Sequence, residues 1–526
     1  MDVREVAVVG LGTMGAGIAE VFARAGLAVV AIEVDPGALE RGLAALDRSL
    51  ARAVTRGKLT EPERADILGR VRPAAGFAAA AGADLAVEVV PERMEIKRQV
   101  FAELDRVCRP DAVLVTNTSS LSVTAIAAGT ADPARVAGVH FFNPAPVMRL
   151  VEVVTTVRTA PETGQAVTDL VRRLGKTPVR VPDRAGFIVN ALLLPYLNHA
   201  ARLLETGYAS REDIDAAATA GLGLPLGPLA LLDLIGLDTS LSILEVLHAE
   251  FGGPRFKAAP VLRRLVEAGL TGRKTGRGFY DYQQRESAAL PGPASIPDAE
   301  PAAGPATVML IGGGAGPGTP LGAMIGAAGW PLAAVPGGPG RHGGHRGGAP
   351  DDNDPDSNLP HDDGPGGLII VHAKEPGTGV LGAALATGRA ADAVGLHLAS
   401  DQLAELIITP MSAPGAVRAA AGLAARLGVT VVRCPDRPGF LAGALFYPHL
   451  NDAVRMVQDG YASPADIDTA MTLGCGYPRG PLQLLDATGP GRALAVLTQM
   501  HERYGDPAFA PAPLLAEHAA ARLAFR

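Results

Sequence analysis

Cysteine is scarce in this sequence, which has three among its 526 residues: Cys108, Cys434 and Cys475. They lie far apart and none is part of a CxxC pair, which argues against a disulfide framework or a zinc site. An excess of basic residues is also lacking, because the formal net charge is -7. We therefore predict reduced thiols in a cytoplasmic protein, no metal site, and no nucleic acid or acidic membrane surface as a partner.

An unbroken apolar run that could cross a membrane is missing as well. The start, MDVREVAVVG, is charged and passes directly into a strand pattern, so no signal peptide is expected. Residues 301–340 carry no charge, but glycine and proline interrupt them throughout. We predict no membrane helix there.

A glycine-rich turn follows the first predicted strand, residues 6–10. Gly10, Gly12 and Gly15 match G-x-G-x-x-G and open an amphipathic helix. Such glycines allow a tight turn, close approach of a pyrophosphate, and close packing of helix on strand. Glu33 ends the second predicted strand and could accept a hydrogen bond from a ribose 2′-OH, which favours NAD over NADP. Asp35 is the alternative for this role.

A serine, a histidine and a carboxylate occur together in residues 117–154. Ser119 follows the apolar strand AVLVT, His140 lies near the end of RVAGVHF, and Glu152 comes after a proline-rich loop. Chemistry in parallel sheets is placed at such strand ends, where a histidine can take a proton and a carboxylate can orient its ring. The alternative is a core or capping histidine and a solvated glutamate.

Six motifs, in order, carry a family resemblance: GLGTMGAGIAE, NTSSLSVTAIA, VAGVHFFNPAPVMRLVEVV, GFIVNALLLPYLNHA, GLPLGPLALLDLIGLD and GRKTGRGFYDY. Together they span residues 3–282 and resemble the 3-hydroxyacyl-CoA dehydrogenase family, in particular members acting on 3-hydroxyadipyl-CoA or 3-hydroxybutyryl-CoA. The resemblance implies NAD-dependent oxidation of an (S)-3-hydroxyacyl-CoA to the 3-oxoacyl-CoA, in fatty-acid or phenylacetate breakdown. A dehydrogenase of a free hydroxy acid, or an NAD-binding scaffold without turnover, is the alternative.

The resemblance also implies residue roles. His140 matches the general base, Glu152 the carboxylate that orients it, and Ser119 and Asn190 the groups that position the substrate. The expected NAD contacts are Gly10, Gly12, Thr13, Met14, Gly15, Glu33, Glu92, Lys97, Ser119, Asn143 and Lys274. Ser49 matches a contact to CoA, and Arg56 stands where the family often has a lysine; either cation can meet a CoA phosphate.

The chain repeats itself. The segment from Pro182, PDRAGFIVNALLLPYLNHA, returns from Pro435 as PDRPGFLAGALFYPHLNDA, and upstream His397 falls opposite His140 and Glu405 opposite Glu152. Gly443 stands in place of Asn190, and Pro317 and Pro320 occupy the turn where phosphate would need N–H donors. We therefore predict a second copy without bound NAD.

These patterns predict a Rossmann-type doubly wound α/β sheet and an all-α domain, then a degenerate copy that ends in another all-α domain. The predicted ranges are 1–184 for the NAD domain, 185–284 for the first helical domain and 285–303 for a linker. The remnant spans 304–434, with a disordered insert at about 336–367, and the second helical domain spans 435–526. The two helical domains are expected to form an intramolecular pseudo-dimer, and assembly into a homo-oligomer is left open.

Overall fold

A computed structural model of the chain describes residues 3–283, 308–311, 320–327, 332–333, 367–373 and 379–526. The predicted linker 285–303, Pro317 and the predicted insert, apart from its last residue, lie outside these ranges. Within them, every helix is too short or too polar to cross a membrane. All three cysteines are unpaired thiols.

The first sheet has eight strands in the order β3-β2-β1-β4-β5-β6-β7-β8. β4, β5 and β6 are buried at every residue, as expected for strands covered by helices on both faces. The strands are β1 Glu5–Val9, β2 Ala28–Ile32, β3 Val71–Ala74, β4 Leu85–Glu88, β5 Val113–Thr116, β6 Val136–Phe141, β7 Leu150–Thr155 and β8 Thr177–Pro182. The helices between them are α1 Thr13–Arg24, α2 Pro36–Thr55, α3 Glu61–Gly69, α4 Met94–Val107, α5 Val123–Ala127 and α6 Pro161–Arg173.

One strand pair breaks the parallel order of this sheet. β6 and β7 run antiparallel and set His140 directly opposite Glu152, whereas β7 pairs with β8 in parallel. Side chains at paired positions lie about 5 Å apart on the same face of a sheet. The strand register alone therefore brings this histidine and this glutamate together.

Five helices follow the first sheet: α7 Val189–Glu205, α8 Arg211–Leu222, α9 Pro228–Ile235, α10 Leu237–Phe251 and α11 Pro260–Glu267. Ser210 caps α8 by accepting from the amide of Asp213, and Gly223 ends it with φ 68°, a conformation that glycine adopts readily. Asp215 on α8 accepts from the amides of Leu229 and Ala230 and so anchors the start of α9. Burial raises the pKa of Asp215 to about 7, although these hydrogen bonds oppose the shift.

The second copy builds a smaller sheet, whose described strands follow the order β10-β9-β11-β12-β13-β14. They are β9 Val308–Ile311, β10 Leu332–Ala333, β11 Leu368–His372, β12 Ala393–Ser400, β13 Leu403–Ile408 and β14 Thr430–Pro435. Helices α12 Pro320–Ala327, α13 Val380–Leu385 and α14 Pro414–Arg426 accompany them. β9 pairs directly with β11, so no counterpart of β4 stands between them. β12 and β13 run antiparallel, as β6 and β7 do.

The second helical region repeats the first and packs against it. Its helices are α15 Ala442–Gln458, α16 Pro464–Cys475, α17 Pro481–Thr488, α18 Pro490–Tyr504 and α19 Pro513–Ala521. Ser463 caps α16 and Gly476 ends it with φ 70°, as Ser210 and Gly223 do for α8. α7 and α15 pack together, and residues of both helical regions share one hydrophobic core. The predicted fold class, with its second copy, is thus confirmed.

Candidate active site

The glycine-rich turn fits a dinucleotide. α1 begins at Thr13, and no described side chain caps its N-terminal amides, which leaves them available to a phosphate. A Cβ on Gly15 would come within 1.8 Å of the Gly10 oxygen, so this glycine permits the close packing of helix on turn. A Cβ on Gly12 would instead meet nothing within 4 Å, because this residue faces open space. That space is where a pyrophosphate would approach the backbone.

Glu33 joins the turn to the end of β2. Its Oε2 accepts from the amide of Leu11 at 3.0 Å, and its Oε1 accepts from the amide of Val34 at 2.9 Å. Asp35 instead caps α2 by accepting from Ala38, which leaves Glu33 better placed for a ribose. Both carboxylates are partly open to solvent. A cleft of about 540 Å³ passes over this turn, lined by the predicted residues Gly10, Gly12, Thr13, Met14 and Glu33.

His140 and Glu152 form a buried pair. Nδ1 of His140 donates to Oε2 of Glu152 at 2.6 Å, and the carboxylate is fully buried. Its Oε1 accepts from the amides of Ile188 and Val189, at 3.0 and 3.1 Å, where α7 begins. Two amides at a helix start stabilise a carboxylate in its charged form. Because Nδ1 is engaged, Nε2 is the ring nitrogen left to meet a substrate.

Aromatic rings surround the imidazole. The ring centroid of His140 lies 4.4 Å from that of Phe142 and 5.7 Å from that of Phe187. Phe187 adopts a positive φ of 49°, which is uncommon for a residue with a side chain. These contacts hold the histidine ring in one orientation, as a base that must meet a fixed substrate requires.

The serine loop is organised around Glu92. Its Oε1 accepts from the amides of Ser119 and Ser120, at 2.8 and 3.0 Å, and from the hydroxyl of Thr118 at 2.7 Å. Asn190 donates through Nδ2 to the carbonyl of Ser119 at 3.2 Å. Since Asn190 follows Val189, whose amide binds Glu152, the loop, the amide side chain and the histidine–glutamate pair form one connected cluster. The structure thus brings together Ser119, His140, Glu152 and Asn190.

Lys97 is buried and forms ion pairs with two glutamates. Its side chain is fully buried, with Nζ 2.9 Å from Oε1 of Glu88 and 3.3 Å from Oε2 of Glu92. Burial raises the pKa of Glu92, but the charge of Lys97 and the hydrogen bonds of the serine loop outweigh it and hold that pKa below its usual value. The arrangement makes Lys97 a support for Glu92, and the expected contact of Lys97 with NAD stays a prediction.

Four further predicted residues lie outside the cluster of Ser119, His140, Glu152 and Asn190. Ser49 and Asn143 line a second cleft of about 380 Å³, which shares Gly12 and Thr13 with the first. Arg56 is exposed at the end of α2, about 10 Å along the helix axis from Ser49. Lys274 lies in the helical region, where its Nζ is 2.5 Å from Asp238. The residues found to line either cleft do not include Lys274.

Some residues that support the site were not predicted. Asn117 accepts through Oδ1 from the amide of Phe141 at 2.9 Å and so ties the end of β5 to β6. Glu88 is fully buried and binds Lys97; its place at the end of an apolar strand was the available signal. Tyr461, from the second copy, donates to the carbonyl of Pro182 at 3.1 Å, beside the start of the first helical region. Nothing in the local sequence points to that last contact.

Two domains of one protein family match the chain. The family described as "3-hydroxyacyl-CoA dehydrogenase, NAD binding domain" matches residues 5–184, and "3-hydroxyacyl-CoA dehydrogenase, C-terminal domain" matches residues 186–282 and 439–524. The chain is 36% identical over 520 residues to a protein of Escherichia coli (strain K12) named 3-hydroxyadipyl-CoA dehydrogenase, covering 99% of this chain and 98% of that protein.

Two further relatives differ in length. A probable 3-hydroxybutyryl-CoA dehydrogenase of Bacillus subtilis (strain 168) is 45% identical over 287 residues, which is 55% of this chain and all of that protein. The crystal structure of a 3-hydroxybutyryl-CoA dehydrogenase from Escherichia coli K12 matches with a TM-score of 0.79 and 35% identity, covering 99% of both chains. The two-copy architecture is therefore shared with a solved structure, whereas the shorter relative spans the first copy alone.

Proposed function

Because this chain belongs to the 3-hydroxyacyl-CoA dehydrogenase family, and is an NAD-dependent oxidoreductase of 3-hydroxyacyl-CoA thioesters, we propose that His140 is its general base. The observation that carries the proposal is the 2.6 Å contact between Nδ1 of His140 and Glu152. It leaves Nε2 free to take the proton of the 3-hydroxyl group while a hydride leaves C3. NAD supplies the acceptor for that hydride when it is bound.

Glu152 is proposed to orient the imidazole and to stabilise its charged form. Its two amide partners keep the carboxylate in place while the ring gains a proton. Ser119 and Asn190 are proposed to position the substrate oxygen, as neutral donors that tolerate a developing carbonyl. Glu92 organises the loop that carries Ser119, which supports this assignment.

The two clefts beside the glycine-rich turn support separate binding sites for NAD and for CoA. We propose that the cleft containing Glu33 takes NAD and that the cleft containing Ser49 takes part of CoA, with Arg56 near a phosphate. Gly12 and Thr13 line both, so the two ligands would approach from opposite sides of one turn. Asn143 and Lys274 remain proposed NAD contacts; for Lys274 this requires the helical region to close on the sheet.

The preferred substrate is proposed to be 3-hydroxyadipyl-CoA, with 3-hydroxybutyryl-CoA as the alternative. The proposal is supported by the relative named 3-hydroxyadipyl-CoA dehydrogenase, which matches both copies over 99% of this chain. The relatives of half this length are named for 3-hydroxybutyryl-CoA at higher identity, which favours the alternative. The solved structure that covers 99% of this chain is also named for 3-hydroxybutyryl-CoA. A comparison of kcat/KM for the two thioesters decides between them, and a higher value for the butyryl compound would reject our choice.

We also propose that the second helical region replaces a dimer partner and that the enzyme works in the cytoplasm. The packing of α7 on α15 and the ion pair between Arg255 and Asp452 support the first part. A chain ending at residue 283 should then be insoluble or newly dimeric. A soluble, active monomer of that length would count against a pseudo-dimer, and recovery of the protein with membranes or outside the cell would count against the location.

The assignment of the base is tested with His140→Ala and its counterpart in the repeat, His397→Ala. We expect His140→Ala to lower kcat by about a hundredfold to ten-thousandfold, the range that a general base contributes. Turnover is followed as NADH oxidation with acetoacetyl-CoA, and a separate NADH fluorescence titration checks that the cofactor still binds. Full activity of His140→Ala, or its loss in His397→Ala alone, would reject the assignment.

A further inference from the structure

A cavity distinct from the two clefts of the first copy lies at the end of the second sheet. It is found where the repeat has its counterpart of the histidine–glutamate pair. Its volume is about 470 Å³, within the range of small-molecule sites. Aromatic and aliphatic side chains from α15 and α17 form its walls, among them Phe446, Tyr447, Leu450 and Leu484. The cavity is separate from both clefts of the first copy, which share no lining residue with it.

The floor of this cavity is polar. His397 and Glu405 are 5% and 1% exposed, and both line the cavity. Nδ1 of His397 donates to the carbonyl of Ala373 at 2.6 Å, and Oε1 of Glu405 accepts from the amides of Leu441 and Ala442. Nε2 of the histidine and Oε2 of the glutamate are thus left for a ligand, since neither has a hydrogen-bond partner in the described part of the chain.

Two arginines supply positive charge to the same cavity. Arg479 and Arg492 both line it, and both are exposed at its rim. No carboxylate of the described residues forms an ion pair with either guanidinium. Burial, and less strongly the charge of Arg492, lower the pKa of His397. Unpaired guanidinium groups beside apolar walls attract an anion with an apolar body.

The first copy contributes one wall. Gly221, Leu222, Gly223 and Leu224, at the end of α8, line the cavity, and Ser400 donates to the carbonyl of Ala220 at 3.0 Å. A bound molecule would therefore contact both halves of the chain. Ligands that bind only the folded protein stabilise it in proportion to their occupancy, so binding here should also raise the melting temperature.

We propose that this cavity binds a small organic carboxylate with an apolar body, whose carboxylate meets Arg479 and Arg492 while its body lies among the walls of α15 and α17. Binding without turnover is the expected outcome. Gly443 replaces the substrate-positioning Asn190, and the second sheet has no counterpart of β4. The site does not depend on the roles proposed for the first copy.

Hexanoate is the probe, titrated by calorimetry into the full-length protein saturated with NAD⁺ and acetoacetyl-CoA, which occupy the first copy and, both being oxidised, cannot react with each other. We expect saturable binding, and at least about tenfold weaker binding of the uncharged 1-hexanol, because charge-assisted hydrogen bonds to the arginines are lost. Arg492→Glu should weaken hexanoate by about tenfold or more. Arg503→Glu, the same change at an exposed position of α18 outside the cavity, is the matched control and should leave the affinity within about twofold.

Three results would overturn the proposal: no saturable binding of hexanoate, equal affinities in the two variants, or equal binding of 1-hexanol. Hexanoate that binds only when NAD⁺ and acetoacetyl-CoA are omitted would be a ligand of the first copy and would also reject this cavity. Arg479→Glu is a second, independent test, since Arg479 lies in the turn before α17 and lines the same cavity.

Discussion

Both halves of the chain set a histidine opposite a glutamate on an antiparallel strand pair, His140 opposite Glu152 and His397 opposite Glu405. Both glutamates also accept through Oε1 from two amides at the start of the first helix of the helical region in the same half, α7 or α15. The histidines differ: His140 donates to its glutamate, but His397 donates to the carbonyl of Ala373. The second copy thus keeps the framework of the pair without the pair itself.

The two sheets differ in the strand that lies beside β1 and beside its counterpart, β9. In the first, β4 lies between β1 and β5 and ends at Glu88, which holds Lys97 and, through it, Glu92. In the second, β9 pairs directly with β11. Asn117 follows β5 and accepts from the amide of Phe141, whereas Ala373 follows β11 and has no side chain for such a bond. The comparison indicates that strand register and helix starts can be the same where the contacts of the histidine differ.

The largest difference between the copies should appear when each glutamate is made neutral. Glu152→Gln removes the carboxylate that holds the ring of His140, so we expect kcat to fall by about a hundredfold or more. Glu405→Gln, which leaves the His140 pair untouched, should change kcat far less. The measurement is kcat and KM for NADH oxidation with acetoacetyl-CoA.

Glu152→Asp serves as the control for the first exchange, because it restores the charge on a shorter side chain and should recover part of the lost kcat. Equal losses in Glu152→Gln and Glu405→Gln would mean that both copies share in catalysis. Such a result would contradict the view that the second pair has lost its chemistry.

Much of this contrast could be predicted from the sequence, since short motifs fix local geometry. Gly10, Gly12 and Gly15 follow an apolar strand. The segment from Pro182 returns from Pro435 and aligns the copies, which sets His397 opposite His140 and Glu405 opposite Glu152 although a few residues are missing between the second two. The fold class, the reaction class and NAD followed from such motifs and are confirmed. The assigned roles of individual site residues stay predictions.

What could not be predicted depends on contacts between distant residues. The burial of Lys97 requires Glu88 on a neighbouring strand, and the serine loop is held by Glu92, 27 positions before Ser119. Tyr461 reaches Pro182 across 279 positions. The side-chain rotation that turns His397 to Ala373 leaves the strand register unchanged, so no periodic pattern in the sequence reports it.

The second prediction uses pH to compare the copies. Burial raises the pKa of Glu405 to about 7, from 4.5 in an unfolded chain, although two amides oppose the shift. Between these values the folded state holds a proton that the unfolded state has released, so stability is lost as pH rises from about 4.5 to about 7. Glu405→Gln removes this loss and should gain on the order of 2 kcal/mol, relative to wild type, between pH 5 and pH 8.

Denaturant unfolding at the two pH values measures the difference. Glu502→Gln, an exchange at an exposed position of α18, corrects for the removal of one charge and should show no such dependence. A Glu405→Gln variant whose stability runs parallel to that of wild type across this range would show that Glu405 ionises as an ordinary surface glutamate does.

The prediction with the smallest expected effect concerns the glycine-rich turn at the beginning of the first copy. Gly12→Ala adds a methyl group where the protein has nothing within 4 Å, so the variant should fold normally. The methyl group would stand where the pyrophosphate approaches, and we expect the KM for NADH to rise about tenfold. Gly15→Ala is the contrasting control, because its Cβ would meet the Gly10 oxygen and reduce the yield of folded protein. An unchanged KM in Gly12→Ala would place the pyrophosphate elsewhere, and the assignment of the two clefts on either side of this turn would then have to be reversed or abandoned.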